Sequence, residues 1–475
     1  MSFTSFNFWL AFPIIFLLYW LIPAKWETIK KLMLIIVSYL LYMSWKPSFA
    51  LVLLAVTLIT YCGGRLLENK EDTVVKRKRL GWLFAILGLL PLLFFKYYNF
   101  INENVADGLS ALGLNLSLPG LNWAVPVGIS FFTFQAVGYM LDVYHKRINA
   151  ERDFIDYTLF VSIFPSIVSG PINKASLMLP QIKSLQSHFD YNKGVAGLKM
   201  ILWGMFMKVV VADRVGMYVD TVLPNYMNYT GITCFVASLL YTIQIYADFA
   251  GYSLMAIGVG KTLGFNLAEN FRRPYFSVSV TDFWRRWHIS LSTWLKDYVY
   301  IPLGGSRCSK IKNYWNIFVT FLVSGIWHGA NWTFIVWGCI HGISQIVEKA
   351  LGFQKYNGHN SWTKASRILL TFLIVNFAWI FFRMPTLSDA CGVVARIFDS
   401  SLPMTIFYDS MTTLCFIIMG ITLLLIKDIS DEFYQTQTHR ILKYRVIRWI
   451  GYIVIIFLIL TTGVLGSDQF IYANF

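Results

Sequence analysis

Long apolar runs alternate with short polar connections along almost the whole chain. Ten of these runs reach or approach the roughly 20 helical residues that cross a hydrocarbon core. They are residues 6–22, 32–44, 49–62, 80–95, 123–141, 195–216, 232–257, 368–382, 411–426 and 449–464. The pattern predicts an all-α polytopic membrane protein with about ten transmembrane helices plus re-entrant segments. No low-complexity linker divides the chain, so we expect one integral membrane domain over residues 1–475.

The lysine and arginine residues predict how these helices are oriented. Strongly basic connections lie at residues 65–79, 145–152, 261–312 and 427–448. Short basic loops stay in the cytoplasm, whereas the connections 101–122 and 217–231 contain no lysine or arginine and are expected outside. The apolar run Phe8–Ile22 has no basic residue before it, which predicts a first spanning helix with the N-terminus outside rather than a cleaved signal peptide.

Two further apolar stretches, 154–170 and 314–347, are harder to assign. A full crossing by 154–170 would place the basic region 261–312 outside, so we expect this stretch to dip into the membrane and return, interrupted by Pro165 and Gly170. The stretch 314–347 is too long for one ordinary span and contains four glycines. We expect an in-and-out hairpin or a broken helix there, with one long tilted helix as the alternative.

Composition excludes a soluble domain and argues against nucleic-acid binding. Hydrophobic residues make up 56% of the chain and charged residues only 14%, against roughly a quarter charged in soluble proteins. The net charge of +15 comes from basic residues clustered between apolar runs, where membrane topology and anionic lipid account for it better than nucleic acid does. The six cysteines have no metal-type spacing, so we expect neither a metal site nor a disulfide framework.

One histidine, His328, is placed where chemistry inside a membrane is expected. It lies near the innermost point of the 314–347 stretch, in the sequence Trp327-His328-Gly329. Ionisable groups at bilayer depth are costly and therefore indicate function. Apolar neighbours favour a neutral imidazole, which can act as a general base or as a nucleophile. The alternative is a structural histidine bonded to a backbone carbonyl, which is the interpretation we prefer for nearby His341.

A second histidine, His288, follows a pair of arginines in an amphipathic stretch. From Trp284 to Tyr298 a helical projection puts apolar and aromatic side chains on one face, with His288 at its edge. This predicts a helix lying along the cytoplasmic interface. The alternative is a simple lipid anchor in which His288 is only a polar edge residue.

Asp248 is a carboxylate inside the apolar segment 232–257, which also carries Gln244. An intramembrane carboxylate usually pairs with a cation or lines a wet cavity. We expect its partner among four arginines of the following loop and leave open whether the pair is structural or shapes a site. These are Arg272, Arg273, Arg285 and Arg286.

Five motifs follow one another in the second and third quarters of the chain. They are FPSIVSGP at 164–171, QIYADFAGYS at 244–253, DFWRRWHISLS at 282–292, LKDYVYIPLGG at 295–305 and GIWHGANW at 325–332. This ordered series resembles the membrane-bound O-acyltransferase (MBOAT) family, and most closely its bacterial branch of alginate O-acetyltransferase-type proteins. The series covers about residues 125–345, while the apolar architecture matches over nearly the whole chain.

The resemblance implies a membrane enzyme with a tunnel between an acyl donor and an acceptor. In the family the histidine matching His328 is catalytic and the residue matching His288 is the second site. Arg285 and Arg286 would hold donor phosphates or an acidic carrier. Substrate-binding roles are expected for Trp287, Asp248, Gln244, Trp327 and Asn331.

The same resemblance implies the substrates and partners. The donor would be acetyl-CoA or another acyl thioester, with no bound cofactor. The acceptor would be an extracytoplasmic polysaccharide, reached with the help of a separate extracytoplasmic acetyltransferase-type protein. The expected location is the bacterial plasma (inner) membrane. Two alternatives stay open: transfer of D-alanine to teichoic acid, as in a related MBOAT branch, and a non-enzymatic transporter with His328 as a proton relay.

Overall fold

The computed structural model describes residues 3–69, 73–114, 119–354, 360–399, 401, 410–464 and 471. Within these ranges the regular structure is helical throughout, and no strand occurs. The chain forms two compact units. Unit 1 comprises Met1–Leu198 and Ala256–Ala268, and unit 2 comprises Lys199–Met255 and Glu269–Phe475.

Unit 1 contains the first part of the chain. Its helices are α1 (Phe6–Leu21), α2 (Glu27–Met43), α3 (Phe49–Leu67), α4 (Val74–Ala111), α5 (Ile129–Tyr144), α6 (Phe154–Ser162), α7 (Phe164–Ile167) and α8 (Ala175–Lys183). The stretch 154–170 is interrupted at Ile163, between α6 and α7, as expected from its proline and glycine. Lys31 of α2 pairs with Asp156 of α6 at 2.7 Å. The side of the membrane that this stretch faces remains a prediction.

Unit 2 contains most of the remaining helices, and two long helices contribute to both units. The shared helices are α9 (Tyr191–Met205) and α11 (Gly231–Thr262). The others are α10 (Asp213–Val222), α12 (Val280–Arg286), α13 (Ile289–Leu295), α14 (Lys310–His328), α15 (Trp332–Ala350), α16 (Ser361–Arg383), α17 (Leu387–Ile397), α18 (Met411–Phe433), α19 (Gln435–Ile441) and α20 (Arg445–Thr462). A π-helical segment, Phe206–Ala212, connects α9 to α10.

Several helices are long and apolar enough to cross a membrane. Among the described residues seven pass by length and composition, and an eighth is counted if the bent pair α1–α2 forms one span. The number of spans differs from the predicted ten or so for two reasons. Helices α1 and α2 were predicted as two spans but form one span at most, and α5, at 16 residues, is shorter than a usual span. The prediction of an all-α polytopic membrane protein is confirmed.

The ambiguous stretch 314–347 is a helical hairpin, as expected. Helix α14 ends at His328, and α15 begins at Trp332 after a three-residue break. The two helices run antiparallel and approach closely where they carry glycine. A Cβ atom on Gly338 would lie 2.5 Å from the carbonyl oxygen of Phe321. The alternative of one long tilted helix is wrong, because the chain reverses at this break.

The single amphipathic helix expected from Trp284 to Tyr298 is wrong. The helix stops at Arg286 and restarts at Ile289. Between them His288 has φ 43° and ψ 55°, in the left-handed region. His288 is also buried rather than at the edge of an interfacial face. The physical reason is a competing set of backbone hydrogen bonds, described below.

The close approach of α14 and α15 makes Gly338 sensitive to any side chain. We expect Gly338→Ala to lower the free energy of unfolding by about 1–3 kcal/mol, as overpacking typically does. Gly451→Ala is the control, because a Cβ atom on Gly451 of α20 meets nothing within 4 Å. Thermal unfolding in detergent would measure both variants. Equal melting temperatures for the two would contradict the proposed steric limit.

Candidate active site

The backbone around His288 is held by a segment that precedes it in sequence. The N–H of Arg272 donates to the carbonyl of Arg286 at 2.9 Å, and the N–H of Ile289 donates to the carbonyl of Asn270 at 2.9 Å. The side-chain oxygen of Asn270 also accepts from the Ser290 hydroxyl at 2.9 Å. These bonds replace those of a continuous helix, so they stabilise the break and the left-handed conformation of His288.

Two acidic side chains hold α12, which leads to His288, at its two ends. The Glu348 carboxylate, from α15, accepts hydrogen bonds from the N–H of Val280 and, at 3.0 Å, from that of Thr281. A carboxylate at a helix N-terminus satisfies free N–H groups and complements the helix dipole. At the other end, Arg286 pairs with Glu432 of α18 at 2.8 Å. Neither glutamate had been singled out from the sequence.

His288 and His328 lie side by side. His328 is the last residue of α14, and its ring centroid is 6.4 Å from that of His288. His288 is 0% exposed and His328 is 1% exposed. Because the two rings are adjacent and buried, His288 is not an edge residue of a surface helix, and its depth in the membrane relative to His328 stays a prediction. Burial lowers the pKa of His288 to about 3, so its imidazole is neutral at physiological pH.

Aromatic side chains surround the two histidines. His328 has ring contacts with Trp327 at 4.9 Å, Trp337 at 4.8 Å and Phe382 at 5.2 Å. Trp327 also lies 5.7 Å from His288. The aromatic cluster, defined here as these rings with three further tryptophans, is largely buried. Its members are Trp284, Trp287, Trp327, Trp337, Trp379 and Phe382. Such a shell lowers the local dielectric and strengthens electrostatic interactions within it.

The prediction that Asp248 pairs with an arginine of the following loop is wrong. Its carboxylate pairs with Lys208 at 2.7 Å, and Lys208 also pairs with Asp213 at 2.6 Å. Lys208 lies in the π-helical segment, on the span before Asp248 rather than in the loop after it. All three side chains are buried. A lysine within the apolar run 195–216 is itself a signal for such a site, which the sequence analysis did not use.

The four arginines expected as partners of Asp248 pair with other residues or line a cavity. Arg286 pairs with Asp282 and Glu432, Arg273 pairs with Glu432, and Arg272 pairs with Glu269. Arg285 is exposed and lines a cavity of about 540 Å³, which we call the basic cleft. The basic side chains of its lining are Arg285, Lys296 and Lys349, and its aromatic wall includes Trp284 and Phe321. No acidic residue lines this cavity among the described residues.

Three remaining candidates have distinct surroundings. Asn331 caps α15: its side-chain oxygen accepts from the N–H of Thr333 at 3.0 Å, and its amide donates to the carbonyl of Pro385 at 2.6 Å. Trp287 packs on Trp379 at 5.0 Å. Gln244 is buried, and its side-chain oxygen has no hydrogen-bond partner among the described residues. The capping bonds of Asn331 account for a structural role, and its substrate-binding role stays a prediction.

A sequence model of the membrane-bound O-acyltransferase family matches residues 145–388. This range contains both histidines, Lys208, Asp248 and the basic cleft. The chain belongs to the MBOAT family. Membership of a family of acyltransferases confirms the enzyme interpretation over the transporter.

Curated relatives of this MBOAT protein share most of its length. It is 38% identical over 402 residues to a probable alginate O-acetylase of Pseudomonas syringae pv. tomato, a match covering 84% of this chain and 75% of the relative. It is 33% identical over 478 residues to a peptidoglycan O-acetyltransferase of Helicobacter pylori, covering 90% and 89%. A teichoic acid D-alanyltransferase of Bacillus subtilis is 28% identical over 268 residues, covering 54% and 68%. The resemblance to the alginate O-acetyltransferase-type branch is confirmed.

The buried pair of Lys208 and Asp248 generates a prediction about stability. Lys208→Met leaves two buried carboxylates without their cation, which we expect to lower the free energy of unfolding by about 3–5 kcal/mol. Adding Asp248→Asn should restore part of this loss, because fewer unpaired charges remain buried. Thermal unfolding in detergent would measure the three proteins.

The control for this prediction lies on α9, which leads directly into the π-helical segment. Lys199 is exposed and approaches the ring of Tyr452 at 5.8 Å, so Lys199→Met should change the melting temperature little. A Lys208→Met protein as stable as Lys199→Met would contradict the role of the ion pair.

Proposed function

We propose that this protein transfers an acetyl group from a cytoplasmic thioester donor across the membrane for O-acetylation of an extracytoplasmic polysaccharide. The observation that carries the proposal is the pair of buried histidines, 6.4 Å apart within an aromatic cluster, in a chain of the MBOAT family. A neutral imidazole in such surroundings is suited to removing a proton from a hydroxyl group.

His328 is the general base of the proposed reaction. Its imidazole takes the proton of the acceptor hydroxyl as the hydroxyl oxygen forms a bond to the thioester carbonyl carbon. The carbon–sulfur bond then breaks, and the leaving thiolate receives the proton from the imidazolium. His288, beside His328, orients the reacting groups. The water-poor aromatic surroundings protect the thioester from hydrolysis.

The basic cleft is the docking site we propose for the donor. Coenzyme A and carrier-bound pantetheine both present phosphate, which Arg285, Lys296 and Lys349 can bind by charge-assisted hydrogen bonds. Arg286 is less suited to this role than the sequence suggested, because Asp282 and Glu432 already balance its charge. The positive charges of the surrounding connection 261–312 support a cytoplasmic entrance.

The acceptor side of the proposal is supported by the relatives. Their names state O-acetylation of alginate and of peptidoglycan, both extracytoplasmic glycans. These names support our proposal that the protein acts in the bacterial inner membrane, where a separate extracytoplasmic acetyltransferase-type protein would complete delivery to the polysaccharide. Transfer of D-alanine to teichoic acid is a second candidate, favoured only by the shorter match at 28% identity.

Removing the proposed base tests the reaction. We expect His328→Ala to lower the rate of acetyl transfer from labelled acetyl-CoA by about 10²–10⁴-fold, the typical contribution of one general base. His188→Ala is the matched control, since His188 is exposed and lies in unit 1. Acetyl transfer by purified, folded protein would be measured with candidate glycans. An active His328→Ala variant would exclude this assignment.

Removing a basic side chain from the cleft tests donor docking. Arg285→Gln should raise the KM for acetyl-CoA roughly tenfold or more, because a hydrogen bond to a charged group contributes about 1.5–3 kcal/mol, and should leave kcat nearly unchanged. Arg307→Gln removes the same charge from an exposed position that does not line the cleft. Steady-state kinetics would compare them. A fall in kcat with an unaltered donor KM would refute docking by Arg285.

A further inference from the structure

Two fully buried side chains of α15 carry hydrogen-bond donors that the fold does not use. Trp337 and His341 lie one helical turn apart, with ring centroids separated by 5.0 Å and no exposed surface. Neither the indole nitrogen of Trp337 nor Nε2 of His341 has a hydrogen-bond partner among the described residues. Buried donors without acceptors destabilise a fold, so they indicate a missing acceptor.

The tautomer of His341 is fixed by its neighbour. The indole N–H of Trp284 donates to Nδ1 of His341 at 3.2 Å. Because Nδ1 accepts, the hydrogen of a neutral imidazole must be on Nε2. The ring also has stacked contacts with Phe283, at 6.1 Å, and with Phe321, at 6.2 Å. These contacts fix the plane of the imidazole, so its free donor has a defined direction.

The two donors lie between the basic cleft and His328. Trp284 and Phe321 form part of the cleft wall and both contact His341. On the other side, Trp337 is 4.8 Å from His328. An indole N–H and an Nε2–H can only donate, which fits an oxygen that only accepts. A carbonyl oxygen with two lone pairs meets this requirement.

We propose that Trp337 and His341 bind the carbonyl oxygen of the acyl thioester and stabilise the negative charge that develops on it. The proposal rests on the proposed function and adds two residues to it. As the acceptor hydroxyl loses its proton to His328 and bonds to the carbonyl carbon, the carbonyl electron pair moves onto this oxygen. The two N–H groups hold the oxyanion until the carbon–sulfur bond breaks and the thiolate takes the proton from His328.

The interpretation of His341 as a purely structural residue is replaced by this proposal. Structural burial alone would leave its Nε2–H without a function, whereas oxyanion stabilisation needs donors that are fixed before the reaction begins. Trp284 then has a positioning role, because its indole sets the tautomer that makes His341 a donor.

Variants that keep a ring at each position can separate loss of the donors from loss of the whole aromatic side chain. Trp337→Phe and His341→Phe keep an aromatic ring but remove the N–H group, and each should lower kcat by about 10²–10³-fold, the range for loss of one oxyanion donor. His341→Gln retains an amide N–H and should recover part of the rate. Trp203→Phe is the control, since it makes the same change outside the aromatic cluster, where Trp203 stacks on Phe206 at 4.9 Å; it should keep most of the wild-type kcat.

A binding measurement gives a readout that packing alone would not change. Acetonyl-CoA has a carbonyl group and S-ethyl-CoA has none, so the wild-type protein should bind the former more tightly. The ratio of the two dissociation constants should fall towards one in Trp337→Phe and His341→Phe. It should stay at the wild-type value in Trp203→Phe and in His328→Ala, which keep both donors.

The outcomes distinguish this proposal from the proposed function. If acetyl transfer depends on His328 while Trp337→Phe and His341→Phe keep the wild-type kcat and binding ratio, only the carbonyl-binding proposal is overturned. A loss of kcat with an unchanged ratio also overturns it, because the loss would then come from packing. If the wild-type protein binds acetonyl-CoA selectively but transfers no acetyl group, the proposed function fails instead.

Discussion

The arrangement of the two histidines depends on one backbone conformation, the left-handed geometry of His288. A residue other than glycine adopts it at a cost of roughly 1–2 kcal/mol. The hydrogen bonds from Arg272 to Arg286 and from Ile289 to Asn270 stabilise the conformation from both sides. Without the break that they impose, α12 and α13 would merge, and the imidazole of His288 would follow the helix face. The geometry of the candidate site therefore originates in the loop segment 270–272.

The sequence predicts the elements of this fold better than their interruptions. Glycines and proline marked the hairpin break after His328 and the break at Ile163, because both signals are local. The break at His288 has no local signal: the apolar periodicity continues through Trp287 and Leu291. Its cause is Asn270, about eighteen residues earlier in the chain, whose pairing depends on tertiary structure. A periodic pattern along one helix carries no information about a distant segment that takes over the hydrogen bonds of its backbone.

Only part of the candidate site could be identified from the sequence, because the rest also depends on tertiary structure. Motifs located His288 and His328, but their proximity required the three-dimensional structure. The ion pair of Asp248 was sought among arginines near in sequence, whereas its partner Lys208 lies on another helix. Charges buried between helices pair according to packing rather than according to sequence distance, and arginine had no advantage over lysine here.

The division of α11 between the two units has a consequence for synthesis of the chain. Unit 1 is completed by Ala256–Ala268, where the N–H of Ala268 donates to the side chain of Asn173 and the carbonyl of Thr262 accepts from Trp20. At about 5–20 residues per second, the ribosome needs roughly 4–14 s to proceed from Leu198 to Ala268. During that interval the first eight helices have been synthesised but part of their core is absent. The order of synthesis therefore affects how this enzyme folds. Any factor that covers these helices during the interval would affect it too.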